Sequence, residues 1–296
     1  MRAVWSLWTK PMREGSRGSP WLSEKHHLLA WVLSVETARR HYPETSLVTD
    51  DDGARMLIDG LGLQFGHVST DLNLLHAHDP DWWAFGKIYA YARQSEPFVH
   101  IDTDVILWQA LPERLERADV FGQQPEHIHC GFSWYYPEKF ESAIRSVDGW
   151  MPEELNTYAP IDGSQNAVCC AIFGGTRVDF IRHYAQAAMR LIEHPRNQPA
   201  WLRLGDRTAY SIIFEQYLLA ACVAGHQHNP RSPYRDIRVE YLFQSYEDAA
   251  VNASRVGYTH LWCEGKRNPA LLDRLEKRVQ QAYPELYERC IAYAGQ

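Results

Sequence analysis

Apolar, β-branched runs alternate with amphipathic stretches along the first third of the chain. Residues 3–8, 46–49 and 97–101 have the composition of buried strands, whereas residues 23–41 and 82–93 carry apolar and aromatic side chains at helical spacing. Strands that alternate with helices are typical of an α/β fold with a mostly parallel sheet. In such sheets ligands bind outside the carboxyl ends of the strands.

Two carboxylates follow the run at 97–101. Asp102 and Asp104 flank Thr103, and a second apolar run comes directly behind them. Because a carboxylate is costly to bury without a partner, this spacing indicates a shared counter-ion, and oxygen ligands suit a hard cation such as Mg2+ or Mn2+. The alternative is that Asp102 caps a helix and Asp104 meets a basic side chain.

The rest of the chain predicts further elements of the same fold. An apolar run at 166–175 ends in two glycines, which allow a ligand or another backbone to approach closely or simply form a turn. Glu215 and Gln216 lie inside the mostly apolar run 211–223, where polar groups need partners, either from a substrate or from the protein. Other predicted strands and helices lie at 64–68, 111–118, 119–123, 176–193, 269–283 and 284–294.

Three other segments have alternative interpretations. The acidic run 50–53 is a metal candidate, but its Asp and Gly residues favour a turn. His127 and His129 alternate, which allows a zinc site, although a hydrogen-bonding wall is favoured because no further ligands lie near in sequence. The segments 126–136 and 156–163 have the composition of loops that help select a substrate.

Composition and charge restrict the class of partner. The chain has 296 residues and a formal net charge of -7, which argues against nucleic acid or an anionic membrane as the main partner. Its six cysteines include no Cys-x-x-Cys pair, so free buried thiols in a reducing compartment are expected. We find no signal peptide and no apolar window that spans a bilayer, and we therefore expect a cytoplasmic protein.

In this order the elements resemble a GT-A fold glycosyltransferase of the retaining type that includes glycogenin and bacterial lipooligosaccharide galactosyltransferases. The Asp102-Thr103-Asp104 segment matches the Asp-x-Asp motif of that type. The N-terminal Trp-Ser-x-Trp strand and the Phe-Val-His-Ile-Asp-x-Asp-Val segment are also similar to those of a group of bacterial GT-A-like proteins.

The resemblance implies a set of site residues. Lys87 corresponds to the basic residue that reaches the nucleotide sugar, Asn166 to the Asn of an Asn-Ala-Gly-like segment, and Glu215-Gln216 to an Asp-Gln pair. His260 would complete a metal site with Asp102 and Asp104, while Gly265 and Lys266 would hold the diphosphate. The spacing after His260 is compressed and the usual Lys-Pro-Trp ending is absent, so Arg267 is an alternative to Lys266.

The implied reaction transfers a sugar from a nucleotide diphosphate donor, most often a UDP-sugar, to an acceptor. With retention, Gln216 would lie near the anomeric carbon and Glu215 would orient sugar hydroxyls; with inversion, Glu215 or Asp162 would deprotonate the acceptor. The acceptor is open among a saccharide, a lipid-linked sugar, a peptide and a small natural product.

Two other functions and a domain division complete these expectations. The second hypothesis is a nucleotidyltransferase, which shares the sheet and the metal but begins with a basic, Gly-rich phosphate loop, of which residues 15–19 are a poor version. The third hypothesis is an inactive nucleotide-sugar-binding relative. We expect residues 1–267 to form the GT-A-like domain and residues 268–296 a helical extension packed on it.

Overall fold

The computed structural model describes residues 1–16, 18–129, 136–158 and 164–295, without the side chains of residues 127–129 and 164–165. It is a mixed α/β structure, and the predicted sheet flanked by helices is confirmed. The strands of the described residues are β1 (Arg2–Leu7), β2 (Thr45–Thr49), β3 (His67–Ser69), β4 (Phe98–Ile101), β5 (Val105–Leu107), β6 (Val120–Gly122), β7 (Pro125–His129), β8 (Ser164–Val168), β9 (Ile172–Gly175), β10 (Val239–Tyr241) and β11 (Tyr258–His260).

Helices cover both faces of the central sheet. The α-helices are α1 (Lys10–Glu14), α2 (Glu24–Ala38), α3 (Asp51–Ala54), α4 (Phe85–Ala92), α5 (Glu113–Glu116), α6 (Pro137–Arg145), α7 (Glu153–Thr157), α8 (Val178–Glu193), α9 (Gln198–Leu204), α10 (Leu218–His228), α11 (Tyr246–Asn252), α12 (Pro269–Ala282) and α13 (Pro284–Ala294). Shorter π or 3-10 segments lie at Arg55–Gly60, Asp71–Leu75, Pro195–Asn197, Thr208–Tyr210, Ile213–Tyr217 and Cys263–Arg267.

The central sheet has the strand order β10-β6-β9-β4-β1-β2-β3. Neighbouring strands run parallel except at β9, which is antiparallel to both β4 and β6. The chain leaves β1 towards β2 and β3 on one side and later returns to β4 on the other side. The strand order therefore reverses between β1 and β4, and in open α/β sheets ligands bind at such a switch point.

Large apolar side chains fill the space between the sheet and its helices. Strand β1 presents Val4 to one face and Trp5 to the other, and both are fully buried. Helix α2 packs on the second face, with Trp31 buried and bonded through its indole N–H to His27. Alternating side chains on two covered faces explain why the central strands are almost continuously apolar.

The two glycines that end β9 are explained by backbone packing. A Cβ atom at Gly174 would lie 1.9 Å from the carbonyl oxygen of Phe98 in β4, and one at Gly175 would lie 2.1 Å from the carbonyl oxygen of Asp119. Gly175 also has φ +150°, which L side chains rarely adopt. Of the predicted alternatives, the structure selects the close approach of another backbone.

Several sequence predictions are wrong in detail. The run 166–175 is two strands, because the chain breaks at residues 169–171 to pass from the two-stranded β7–β8 sheet into the central sheet. Residues 125–129 form a strand rather than a loop, and α7 includes part of the predicted loop 156–163. Residues 51–54 begin a helix rather than a turn, with the side chain of Asp50 accepting a hydrogen bond from the N–H of Gly53.

The burial of the cysteines and the length of one apolar helix also differ in part from the expectation. The cysteines of the described residues are free, but Cys263 is exposed whereas the other four are buried. One helical run, Thr208–His228, is long and apolar enough to cross a membrane by length and composition, which the sequence analysis did not anticipate; 61% of its 18-residue window of mean hydropathy 1.2 is buried inside the protein. It carries Glu215 in its buried interior, as a core helix with an internal ion pair does.

Candidate active site

A cleft opens at the carboxyl ends of β1 and β4, where the strand order reverses. Its volume is about 250 Å³, and its lining includes Leu7 and Trp8 at the end of β1 and Asp102, Thr103 and Asp104 after β4. The predicted acidic pair thus lies at the edge of the sheet where α/β folds bind ligands.

Backbone hydrogen bonds fix the acidic segment. The N–H of Asp102 donates to the carbonyl of Ala171 at 2.9 Å, and the carbonyl of Asp102 accepts from the N–H of Val105 at 3.0 Å and from the hydroxyl of Ser34 at 3.2 Å. The bond from the N–H of Val105 to the carbonyl of Asp102 makes a tight turn between β4 and β5. Both carboxylates therefore have well-defined backbone positions.

A two-stranded ribbon places His260 beside Asp104. Strand β11 pairs antiparallel with β5, so that His260 lies opposite Val105, and the N–H of Leu261 donates to the carbonyl of Asp104 at 2.8 Å. The Nε2 atom of His260 then lies 3.6 Å from Oδ2 of Asp104. Residues more than 150 positions apart are joined in this way.

The hydrogen bond of His260 to Gln123 fixes which ring nitrogen faces Asp104. The side-chain carbonyl of Gln123 accepts from the hydroxyl of Tyr258 at 2.5 Å, and it lies 2.8 Å from Nδ1 of His260. An acceptor at this position requires the proton on Nδ1. Nε2 is then the ring nitrogen directed at the carboxylate of Asp104, an arrangement that suits a cation between the two groups.

Lys266 is the basic residue of the C-terminal segment that reaches the acidic pair. Its Nζ lies 2.5 Å from Oδ2 of Asp104, and its side chain lines the cleft. Arg267 instead donates to the carbonyls of Pro20 at 3.2 Å and Ser19 at 3.5 Å. Of the two predicted alternatives, only Lys266 contacts the acidic pair.

Asp104 is almost completely buried, and the pKa of its carboxyl is strongly lowered. Burial raises the pKa of its carboxyl, but Lys266 and His260 outweigh burial and hold the pKa well below its usual range. Its Oδ1 atom is buried and has no hydrogen-bond partner among the described residues. A permanently charged carboxylate with one unpaired oxygen has the property expected of a cation ligand.

Lys87 links Asp102 to Glu215 inside the protein. Its Nζ lies 2.9 Å from Oδ1 of Asp102 and forms an ion pair with Oε1 of Glu215. Burial raises the pKa of Glu215 to about 7, although Lys87 opposes the shift. Burial also raises the pKa of Asp102, again against the effect of Lys87. The two carboxyls share a single ammonium group that both require.

Three predicted residues have less direct positions. Gln216 follows Glu215 in the π segment, and its buried Oε1 accepts no hydrogen bond from the described residues. Asn166 lies in β8, with its carbonyl bonded to the hydroxyl of Tyr158 at 3.0 Å. Gly265 precedes Lys266, and a Cβ there would meet nothing closer than 3.9 Å, so local packing does not require glycine.

Sequence reasoning missed several groups of the site. His100 is buried one strand repeat before Asp102, with Nδ1 3.6 Å from its Oδ1 and Nε2 2.9 Å from the hydroxyl of Ser6. Gln123, described above, was missed as well. The i, i+2 spacing of His100 and Asp102 on one strand face was the available signal for the first, whereas no local pattern marks Gln123.

Aromatic side chains and a glycine-containing loop form the outer wall of the cleft. Trp8, Trp21 and Trp83 line it, and the Nζ of Lys266 lies 5.8 Å from the ring centre of Trp21. Gly15, Gly18 and Ser19 line it as well. Flat apolar faces beside charged groups suit a ligand with both a ring and a charged part.

The remaining candidate site residues fall outside the described residues or lie away from the cleft. Asp162 falls outside the described residues, and so do the side chains of His127 and His129. Asp50 is buried and accepts hydrogen bonds from Thr9, at 2.7 Å from its N–H and 2.8 Å from its hydroxyl. The 50–53 run therefore serves the structure of this turn and its helix.

Comparisons with known proteins give one family and one structural similarity. The model of a family of unknown function, DUF6734, matches residues 1–293. No curated protein matches the chain. The apo crystal structure of mouse xyloside xylosyltransferase 1 is 10% identical, covers 89% of this chain and 98% of its own, and has a TM-score of 0.38. A TM-score of this size does not bear on activity.

Proposed function

This chain belongs to the DUF6734 family, and from the geometry of its cleft we propose that it is a metal-dependent glycosyltransferase that uses a nucleotide diphosphate sugar, with UDP as the favoured nucleotide. The observation that carries the proposal is the meeting of Asp102, Asp104, His260 and Lys266 at the switch point of the sheet. Carboxylates, an imidazole and an ammonium group together suit a cation and a diphosphate.

The donor atoms present fit a divalent cation. Oδ1 of Asp104 is buried and has no hydrogen-bond partner among the described residues, and Nε2 of His260 is directed at the same carboxylate. Asp102, Asp104 and His260 would hold Mn2+ or Mg2+, with Mn2+ better suited to a mixed oxygen and nitrogen site. Such a cation supplies positive charge to the diphosphate as the sugar leaves.

The chain's own residues supply the other interactions with the donor. Lys266 would turn from Asp104 to a phosphate oxygen, adding an ammonium charge on the leaving group. Lys87 would keep Asp102 and Glu215 in position, while Thr103, Asn166 and the backbone at Gly265 would contact the donor. The tryptophans of the cleft wall would exclude water and stack on the uracil or the sugar.

We favour retention of configuration. In that reaction the acceptor attacks from the side of the leaving group, so no strong side-chain base is required. Gln216 would lie near the anomeric carbon, consistent with an amide oxygen that lacks a partner, and Glu215 would orient sugar hydroxyls. The ion pair between Glu215 and Lys87 supports an orienting role over that of a free base needed for inversion.

The first experiment measures release of UDP. The chain is incubated with a panel of UDP-sugars and Mn2+, without acceptor, and slow hydrolysis of one donor is expected. Asp104→Asn should lower that rate by at least about 100-fold, since removal of one group that stabilises a developing charge costs 10²–10³ in rate. The control is Asp236→Asn, because Asp236 is 85% exposed and remote from the cleft. Equal rates in all three proteins would exclude the proposal.

A nucleotidyltransferase is the second candidate, because the loop with Gly15, Gly18 and Ser19 does line the cleft. Gly18 has φ +61°, as a tight loop around a ligand often requires. This enzyme would release pyrophosphate from a nucleoside triphosphate and a sugar phosphate. Detection of pyrophosphate in place of UDP distinguishes the two reactions.

An inactive nucleotide-sugar-binding protein is the third candidate. It would be stabilised against heat by UDP with Mn2+ but would release neither UDP nor pyrophosphate. Loss of that stabilisation in Asp104→Asn would place the nucleotide at the same cleft.

A further inference from the structure

A second group of potential metal ligands lies away from the cleft. Glu154 of α7, His183 of α8 and His226 of α10 place one carboxylate oxygen and two imidazole nitrogens within 4.8 Å of one another. The three side chains are partly buried, and each comes from a different helix. Nothing in the proposed sugar transfer uses them.

The three donor atoms form a triangle of the size that a zinc ion requires. The Nε2 atoms of His183 and His226 are 2.9 Å apart, and Oε1 of Glu154 lies 3.1 Å from the first and 3.3 Å from the second. Tetrahedral zinc with ligands at about 2.0 Å has edges of about 3.3 Å. The three separations are therefore close to those that ligands of one tetrahedral zinc ion would have.

Hydrogen bonds alone satisfy this arrangement poorly. Each Nε2 carries at most one proton, and if both were protonated, both would donate to the same Oε1 of Glu154 with the two N–H groups only 2.9 Å apart. If only one is protonated, it can donate well to the other nitrogen or to Glu154, but not to both. A cation accepts lone pairs from all three atoms at once.

The surroundings of the triangle are those of a metal site. Ser232 is buried, and its hydroxyl lies 2.8 Å from Nδ1 of His226 while accepting from the N–H of Tyr234 at 2.9 Å. An oxygen that accepts the Nδ1 proton orients a ligating histidine. Gly225 allows the approach of α7, since a Cβ there would lie 3.1 Å from Cγ of Glu154.

We propose that Glu154, His183 and His226 bind a zinc ion that joins α7, α8 and α10. Glu154 and His226 also line a groove of about 740 Å³, from which a water molecule would complete the tetrahedron. Two imidazoles select zinc over Mg2+ and Mn2+, in contrast to the carboxylate-rich cleft. Because α10 continues from the segment that carries Glu215 and Gln216, the ion would also stabilise that segment.

Cobalt spectroscopy of the full, untagged chain tests the site directly. After the protein is stripped with a chelator, Co2+ is expected to give the intense visible absorption of a tetrahedral site at one equivalent, and Zn2+ is expected to abolish it. Asp104→Asn should keep the signal, which separates this site from the cleft. Absence of the signal in the unsubstituted chain would overturn the proposal, and this result does not depend on the folding of any variant.

Variants then identify the ligands. His183→Ala and His226→Ala should lower zinc affinity by more than the 10–100-fold that changes in outer hydrogen bonds cost. His228→Ala is the matched control, because His228 lies on the same helix but its Nδ1 bonds to the carbonyl of Ala224 at 2.7 Å. Zinc should raise the melting temperature of the control and the parent only. Unchanged affinity in both alanine variants of the triangle would show that other residues bind the metal.

Discussion

At the scale of single residues, two neighbouring cations at the cleft have different partners. Lys266 contacts Asp104, whereas Arg267 bonds to the backbone of residues 19 and 20. We predict that Lys266→Ala lowers the rate of UDP release by about 10²–10³, because it removes a charge that stabilises the leaving diphosphate. Initial rates at saturating Mn2+ and donor measure the effect.

Arg267→Ala is the matched comparison for that prediction. It should change the rate by less than about 10-fold, since its contacts hold the loop and do not reach the acidic pair. If Arg267→Ala were the more damaging of the two, the diphosphate would be bound by Arg267, and the assignment of Lys266 would be wrong.

The shared ammonium of Lys87 gives a prediction about stability. Lys87→Met leaves Asp102 and Glu215 without their cation, and breaking a buried ion pair costs about 3–5 kcal/mol. Chemical denaturation at about pH 8 measures this loss in the free energy of unfolding. The control is Lys277→Met, whose partner Asp273 lies at 2.7 Å on the surface, and which should cost less than about 1 kcal/mol.

The pH dependence of this loss follows from Glu215. Its pKa in the folded protein is raised to about 7 from an ordinary value of 4.5. Between these values the folded state binds more protons than the unfolded state, so the contribution of this carboxyl to stability decreases as pH rises. Without Lys87 its pKa rises further, and the cost of Lys87→Met should therefore be smaller at about pH 6 than at about pH 8. A cost independent of pH would mean that Glu215 is not the group left unpaired.

At the scale of elements, Gly174 of β9 has no space for a side chain, whereas Gly265 of the C-terminal segment has. Gly174→Ala would place a methyl group 1.9 Å from the carbonyl oxygen of Phe98. Because β9 is hydrogen-bonded to β4 on one side and β6 on the other, its backbone cannot move away. We predict a loss of about 3 kcal/mol or more in the free energy of unfolding, at the upper end of the cost of overpacking. Thermal or chemical denaturation measures it.

Gly265→Ala is the corresponding control at a position with space. The nearest atoms would lie at 3.9 Å, so stability should change by less than about 0.5 kcal/mol. Donor turnover of this variant then tests whether the backbone at Gly265 must approach a phosphate. Full activity would remove Gly265 from the proposed donor site without affecting the assignment of Lys266.

Elements with a local pattern were predictable, and those that depend on distant pairing were not. The strand before the acidic pair and helix α13 were placed within a residue, because each has an uninterrupted apolar or amphipathic pattern bounded by a proline. The break between β8 and β9 was missed, since residues 169–171 are as apolar as the strands beside them. The pairing of β5 with β11 has no local signal, and the predicted meeting of His260 with the acidic pair came from the family resemblance alone.

At the scale of the whole molecule, the site depends on the order of the strands. The cleft lies between β1 and β4 because the chain crosses the sheet there, and the β5–β11 ribbon and the C-terminal segment then bring residues 260 and 266 to the same place. Alternation of strands and helices predicted the parallel sheet. The antiparallel insertion of β9, which brings the carbonyl of the preceding residue Ala171 to the N–H of Asp102, could not be predicted from that alternation.

The last helices belong to the same hydrophobic core as the N-terminal half, and this gives a prediction about truncation. Leu272, Leu275 and Val279 of α12 are buried in the cluster that contains α2, and Lys25 of α2 pairs with Glu276 at 2.7 Å. Burial of each such apolar side chain contributes about 1.5–3 kcal/mol, so their sum approaches the whole stability of a typical domain. We predict that a chain ending at residue 267 is poorly soluble or melts at a much lower temperature.

Point variants separate the loss of this packing from other effects of truncation. Leu272→Ala should cost about 2–5 kcal/mol, because Leu272 is 1% exposed, whereas Leu202→Ala at an 81% exposed position should cost less than about 0.5 kcal/mol. If the truncated chain and Leu272→Ala both melted like the parent, residues 1–267 would be an independent folding unit. If both lose stability, α2 requires the C-terminal helices, and the cleft that α2 supports through Ser34 requires them too.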